Sequence, residues 1–279
     1  MIQPEALLQQ YFGHKAFRAG QKQAIDAILS GRDVLAVMPT GAGKSVCYQI
    51  SALLLPGVTI VISPLISLMK DQVEALRQVG IPAAYINSSI SQEEFYHSMQ
   101  MLQQGQCRIL YVAPERLMTE SLLRLAQRVQ ISMIAVDEAH CVSQWGQDFR
   151  QSYLDIPVFM EQLPVRPVCT AFTATATKQV EADIARILKL RDPETIHTGF
   201  DRKNLFFGVR RPNSKMTELF HLLKENDGKS GIVYCSTRKA VEEVCASLCD
   251  TGFDATRYHA GLSDVERAQN QDDFLYDRK

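Results

Sequence analysis

Asp33-Val34-Leu35-Ala36-Val37-Met38-Pro39-Thr40-Gly41-Ala42-Gly43-Lys44-Ser45 is the stretch that decides the fold of this chain. Asp33 to Val37 is a short apolar run of the kind that makes a buried strand, and Lys44 to Leu55 has the composition of a helix. A loop between such elements aims backbone N–H groups and a helix N-terminus at one point, which suits a polyphosphate. Gly41 and Gly43 let the backbone curl close to that group, with Pro39, Thr40 and Ala42 completing the cradle. Lys44 reaches β- and γ-phosphates, and the Ser45 hydroxyl ligates Mg²⁺. The strict G-x-x-x-x-G-K-S pattern has Gly where this chain has Met38. The alternative is a Gly-rich turn ending in a surface Lys-Ser, and the strand–loop–helix context speaks against it.

Outward from this loop, apolar runs and amphipathic runs alternate. Strands are expected at 33–38, 58–63, 83–87, 108–113, 132–137 and 168–173, with helices near 43–54, 65–79, 91–104, 115–127, 152–162 and 177–189. The strands are Val/Ile/Ala-rich with little polar alternation, as in a parallel sheet covered on both faces. The pattern implies a doubly wound α/β fold with ligands at the carboxyl ends of the strands. A boundary is expected near Leu190-Arg191-Asp192-Pro193, giving units 1–192 and 193–279. The second unit would hold strands near 194–198, 205–210, 231–236 and 255–259, and helices near 214–226, near 237–250 and from Ser263.

With 46% apolar and 22% charged residues over 279 positions, the chain is globular, and 279 residues suffice for one large domain or two ordinary ones. Net charge is −1, so any polynucleotide contact must rest on local groups. No apolar stretch approaches a membrane span, and Met1-Ile2-Gln3-Pro4-Glu5 lacks a signal-peptide layout. Seven cysteines without a C-x-x-C pair point to reduced thiols in a cytoplasmic protein, and away from zinc.

Met133-Ile134-Ala135-Val136-Asp137-Glu138-Ala139-His140 is a second strand with chemistry at its end. Adjacent acids there are costly unless they serve a ligand. Beside a phosphate loop, Asp137 holds Mg²⁺, directly or through water, and Glu138 orients and deprotonates a water. His140 senses the γ-phosphate or links to a neighbouring loop. Thr173-Ala174-Thr175-Ala176 ends another strand and either couples the site onward or caps the next helix through Thr175 or Thr177. Gln21 can pair with adenine as an amide does in DNA, with Arg18 and His14 able to stack on the ring.

Directly after the acids, Ser143-Gln144-Trp145-Gly146-Gln147-Asp148-Phe149-Arg150 carries the one Trp of the chain. Trp145, Phe149 and Arg150 suit stacking on single-stranded bases, worth about 1–3 kcal/mol per base; the alternative is a core Trp. Further strand-end contacts are expected at Ser63, Pro64, Leu65, Ser67 and Lys70, at Pro114, Glu115 and Arg116, and in the second unit at Thr237, Arg238 and His259. Backbone amides and hydroxyls there hold phosphates without a basic excess.

In order along the chain come Phe17-Arg18 with Gln21, Met38 to Ser45, Ser63-Pro64-Leu65-Ile66-Ser67-Leu68-Met69-Lys70-Asp71-Gln72, Ala113-Pro114-Glu115-Arg116-Leu117, Asp137-Glu138-Ala139-His140-Cys141, Ser143-Gln144-Trp145-Gly146, Thr173-Ala174-Thr175-Ala176, Phe200-Asp201-Arg202 and Tyr258-His259-Ala260-Gly261-Leu262. This series, spanning Phe12 to the last residues, resembles the RecQ family of ATP-dependent DNA helicases, in superfamily two with a DEAH-type box. The Met38 variant of the loop fits that resemblance. It implies a P-loop NTPase with one full RecA-like lobe and part of a second, ATP and Mg²⁺ as cofactors, and 3′–5′ movement on single-stranded DNA. It further implies unwinding of forked or duplex DNA, in repair or recombination, by a monomer. Arg18 and Gln21 would read adenine, and the Trp145–Arg150 loop would couple DNA to hydrolysis. Departures fall at His14, where relatives often carry Tyr, and at Gln147, where His is usual. The family's arginine finger and Gly-rich Arg motif would follow Lys279, and zinc-binding and winged-helix segments are not in this sequence. The expectation is the catalytic core of an ATP-dependent 3′–5′ DNA helicase, with weak turnover by this chain itself. The other readings are an ATP- and DNA-binding module with little turnover and an RNA helicase of the same superfamily.

Overall fold

The computed structural model describes residues 3–146, 148–199, 205–276 and 278. Gln147 and Phe200-Asp201-Arg202 lie outside them, as does the Ser67 side chain. The chain divides into two compact units between Arg202 and Lys203.

The first unit runs α1 (Pro4–Phe12), α2 (Gln21–Leu29), β1 (Val34–Val37), α3 (Lys44–Leu54), β2 (Val58–Ile62), α4 (Ile66–Gln78), β3 (Ala83–Ile86), α5 (Gln92–Gln103) and β4 (Ile109–Val112). A 3₁₀ turn (Pro114–Arg116), α6 (Glu120–Ala126), β5 (Ile131–Val136), two 3₁₀ turns (Ala139–Val142, Gln151–Leu154), α7 (Asp155–Glu161), β6 (Val168–Thr173), α8 (Lys178–Ile187) and β7 (Glu194–His197) follow. The seven strands form one sheet in the order β3-β4-β2-β5-β6-β1-β7. Every ladder is parallel, so all carboxyl ends share one edge. Alternate residues feed two cores. Leu35, Ile60, Ile62, Ile134 and Val136 face one core with residues of α5 to α8, while Val34, Ala36, Val61 and Ala135 face the other with residues of α1 to α4. That two-sided burial is why the strands read as unbroken apolar runs.

Three expectations that concern the first unit need correction. The strand at 194–198 does not open the second unit, because β7 pairs with β1 in register Val34↔Glu194 and so belongs to the first. The helix expected at 115–127 is split, since the Arg116 carbonyl accepts from both the Thr119 N–H (3.2 Å) and the Thr119 hydroxyl (2.8 Å), which closes a turn before α6. The helix expected from 152 begins as a 3₁₀ turn and becomes α-helical at Asp155. Pro157 has no N–H to donate to Tyr153, so it fits only the first α-helical turn.

Among the described residues, the second unit contains α9 (Lys215–Glu225), α10 (Arg238–Asp250) and α11 (Asp264–Leu275), each capped by a Ser or Thr hydroxyl. The strands expected at 205–210, 231–236 and 255–259 are not formed among its described residues. A strand exists only in a ladder, and Phe206, Phe207, Val209 and Tyr234 are all largely exposed. No helix among the described residues is long and apolar enough to cross a membrane.

Candidate nucleotide site and nucleic-acid face

The loop between β1 and α3 closes on Gly43, which caps α3 at φ 80°. The positive φ favours glycine there, and a Cβ would also displace the Gln21 amide nitrogen. The Gln21 carboxamide is buried under the loop. Its Nε2 donates to the carbonyls of Ala42 (3.1 Å) and Gly43 (3.0 Å), and its Oε1 accepts from the Arg18 N–H at 2.8 Å. The Arg18 guanidinium donates to the Gly41 carbonyl. The two residues expected at an adenine ring thus hydrogen-bond to the phosphate loop. His14 is exposed between α1 and α2, and Pro39, Thr40 and Ala42 line the loop at its partly open crest. Lys44 Nζ turns back onto the Met38 carbonyl at 3.2 Å.

Across β6, Asp137 directly follows the last residue of β5. Burial, then the neighbouring Glu138 charge, pushes the Asp137 carboxyl up to about 6; the Glu138 N–H and the Lys44 charge act the other way. Glu138 sits at φ 47° and ψ 47°, a left-handed conformation uncommon outside glycine. Its carboxyl is held below the usual range, mainly by the His140 hydrogen bond and also by Lys44. His140 Nδ1 lies 3.0 Å from Thr173 Oγ1 and 3.3 Å from Glu138 Oε2. Its pKa is raised by hydrogen bonding to Cys141 and then to Glu138. Thr173 completes the connection. Its hydroxyl donates to the Thr175 carbonyl at 3.0 Å, and its carbonyl accepts from the Met38 N–H at 2.9 Å. His140 thus links to a neighbouring strand end, one of its two expected roles, while Thr177 caps α8 by accepting from the Val180 N–H.

This donor set fits Mg²⁺ with a polyphosphate. It offers a glycine-walled cradle, a lysine resting on a carbonyl that an anion can outcompete, a hydroxyl on Ser45, and a buried carboxylate whose charge a cation would relieve.

The nucleic-acid candidates of the first unit occupy the same sheet edge. Ser63 is buried after β2, Pro64 is half-buried, and Leu65 and Lys70 are exposed, Lys70 lying 3.9 Å from Glu74. After β4, Pro114 is buried, Glu115 is exposed, and the Arg116 guanidinium lies over the Phe95 ring, 5.7 Å from its centroid. The loop after the acidic cluster is tied at both ends. Ser143 Oγ donates to Asp183 of α8 at 2.8 Å and accepts from the Trp145 N–H at 3.2 Å. Arg150 donates to the Pro64 carbonyl at 3.0 Å and to the Asp148 carboxylate, and its N–H donates to the Cys141 carbonyl. Between these ties Trp145 is 72% exposed, so it is not a core residue. Gly146 is required, because a Cβ would overlap the His140 carbonyl. Taken by itself, the second unit uses Thr237 as the cap of α10, where it accepts from the Ala240 N–H at 3.1 Å. His259 pairs with Glu242 at 2.8 Å and accepts from the Gly261 N–H, and Arg238 packs beside Gly261.

The sequence model of the DEAD/DEAH box helicases matches residues 18–183, more than half of the chain, including the phosphate loop, the acidic pair and the Trp145 loop. The chain belongs to the DEAD/DEAH box helicase family. Within that family it is similar to the ATP-dependent DNA helicase RecQ of Bacillus subtilis, at 45% identity over 274 residues, covering 98% of this chain and 46% of that protein. The RecQ of Haemophilus influenzae is 43% identical over 272 residues, with 98% and 44% covered. The chain therefore spans less than half the length of these relatives. Among solved structures, S. cerevisiae Dbp5 bound to RNA and ADP BeF3 has a TM-score of 0.71 at 21% identity, covering 100% of this chain and 72% of that one, a likeness of fold.

Two residues of this DEAD/DEAH helicase escaped the sequence reading. Asp183 anchors the aromatic loop, but in sequence it is an ordinary helical partner of Arg186 at i,i+3. The Tyr153 hydroxyl donates to the Asp137 carbonyl at 3.0 Å, and its separation of sixteen residues gives no periodic signal.

Proposed function

We propose that the chain is the ATPase core of a RecQ-type DNA helicase, which hydrolyses ATP to move 3′–5′ along single-stranded DNA and to open forked or duplex DNA. The observation that carries this is the continuous link from the phosphate loop through Thr173 and His140 to the acidic pair, with an exposed Trp loop fixed beside it. Similarity to RecQ proteins over nearly the whole chain supports DNA as the polymer.

Bound Mg²⁺–ATP supplies a γ-phosphoryl group whose developing charge the metal and its neighbours disperse. Ser45 and Asp137 would hold the metal. Lys44 leaves the Met38 carbonyl to meet phosphate oxygens. Glu138, ionised at neutral pH, takes a proton from the attacking water while His140 fixes its orientation. Arg18 and Gln21 keep the loop in shape and, with His14, form the adenine side of the site. Trp145 and Phe149 stack on bases, and Arg150 joins their loop to the segment after β2. In the first unit Ser63, Pro64, Leu65, Ser67, Lys70, Pro114, Glu115 and Arg116 follow the phosphodiester backbone; in the second, taken by itself, Thr237, Arg238 and His259 are the candidates for such contacts. The protein acts as a cytoplasmic monomer in repair or recombination.

The test is ATP hydrolysis with and without single-stranded DNA, beside Glu138→Gln. DNA-stimulated turnover that the variant loses is expected. Nucleotide binding without any turnover would reduce the reading to a binding module, and equal stimulation by RNA would move it to an RNA helicase.

A further inference from the structure

On the face of the sheet that carries α3 and α4, one buried polar group is not used by the chemistry above. Gln49, on α3 five residues beyond Lys44, is 4% exposed. Its Nε2 donates to Gln72 Oε1 of α4 at 3.0 Å and to the Tyr111 hydroxyl of β4 at 3.1 Å. Both amide hydrogens are engaged, each by a different element. The surroundings are apolar, with Cys47, Ile50, Met69 and Val73 all fully buried in the same cluster. An amide in such a place is costly unless bonded, and a leucine would fill it without that demand. What the amide adds is direction: two bonds fix how α3 sits against α4 and β4.

Those three elements end in the groups of greatest interest. α3 begins at Lys44 and Ser45. α4 begins directly after Ser63-Pro64-Leu65. β4 runs into Pro114-Glu115-Arg116. Gln49 lies about 7.5 Å along α3 from Lys44 at 1.5 Å per residue. A shift of α3 as its N-terminus closes on phosphate is therefore passed by one carboxamide to both strand-end segments. We propose that Gln49, with Gln72 and Tyr111 as its acceptors, is a positioning residue that couples nucleotide occupancy to the grip of these segments on single-stranded DNA. The proposal rests on the function argued above.

The experiment measures the affinity of the whole chain for a fluorescein-labelled oligothymidine by anisotropy, with and without Mg²⁺ and the non-hydrolysable analogue AMP-PNP. The ratio of the two dissociation constants is the coupling, and linkage makes it equal in both directions. A purely structural role shifts both constants together and leaves the ratio alone. The unmodified chain is expected to show a ratio of about five or more. Gln72→Leu should bring it within about twofold of one, whereas Gln72→Glu, whose carboxylate still accepts from Gln49, should keep it. Gln72 is only half-buried and its replacement is compatible with folding. Should Gln72→Leu nonetheless fail to fold, Tyr111→Phe removes a single acceptor oxygen and should lower the ratio at least twofold. An unchanged ratio in Gln72→Leu or, in its place, Tyr111→Phe overturns the proposal, as does equal loss in the Leu and Glu variants. A ratio of one in the unmodified chain overturns it while leaving DNA binding intact. No oligonucleotide binding in either state overturns the proposed function and this inference together.

Discussion

At the scale of the residue, Asp137 shows how a binding site is kept ready at a cost to the fold. Its pKa in the folded chain, about 6, lies above its ordinary value near 3.8. The folded state thus favours the protonated form, and that contribution is complete below the ordinary pKa and lost as pH rises through about 6. Asp137→Asn should therefore stabilise the ligand-free protein at pH 7.5 by roughly 1–3 kcal/mol, read as a higher melting temperature, while Mg²⁺-dependent nucleotide binding falls. In the unmodified chain, Mg²⁺ must displace a proton below pH 6, so its affinity there should drop up to tenfold per pH unit in calorimetric titrations. Glu138→Gln keeps the shape but cannot accept a proton, and hydrolysis should fall by about 10²–10⁴ with nucleotide affinity nearly unchanged. The positions of Asp137 and Glu138, directly after β5, and of Lys44 and Ser45, opening α3, are legible in the sequence because the backbone itself places residues at the ends of elements. The partners of Gln21 and Arg150 are not. Long side chains choose among acceptors that come together only in the folded chain, and here both chose loop carbonyls.

At the scale of the element, β1 is fixed at its other end by Asp33. The buried carboxylate receives both Arg166 nitrogens (3.1 and 2.6 Å), the Cys169 N–H (2.9 Å) and the Arg191 N–H (2.7 Å). Asp33→Ala leaves the guanidinium and two amides without their acceptor and should cost about 3–5 kcal/mol, measured by urea unfolding. Because this clamp is at the amino end of the strand, nucleotide affinity of the folded protein should stay within about twofold. The aromatic loop makes the opposite prediction. Trp145 is exposed, so Trp145→Ala should leave stability and basal hydrolysis alone and lower DNA-stimulated hydrolysis at least severalfold; equal loss of both rates would remove the loop's coupling role. The strands of the first unit were readable because two-sided burial writes itself as unbroken Val/Ile runs. β7 was assigned to the wrong unit because its partner, β1, lies 160 residues earlier, and no local pattern records such a pairing. The runs at 205–210 and 231–236 have strand composition without a ladder, and composition alone does not supply one.

At the scale of the whole molecule, the unit ending at Arg202 contains the sheet, both apolar cores and every nucleotide-site residue. A protein comprising residues 1–202 should fold cooperatively and bind nucleotide within about threefold of the full chain. Amide exchange should be slowest in β1, β2, β5 and β6 and fast at 205–212 and 230–236, where the backbone lacks ladder partners. The topology of that sheet also sets a schedule for the growing polypeptide. Among the described strands β1, which precedes the phosphate loop, pairs with β6 and β7, so its strand partners are synthesised some 130 to 160 residues after it. A nascent chain holding every residue of the cradle still lacks both strands that hydrogen-bond to β1. On this topology the cradle should become competent to hold a nucleotide only after His197 has left the ribosome, so that binding of a nucleotide by stalled nascent chains of increasing length would report that the domain is finished.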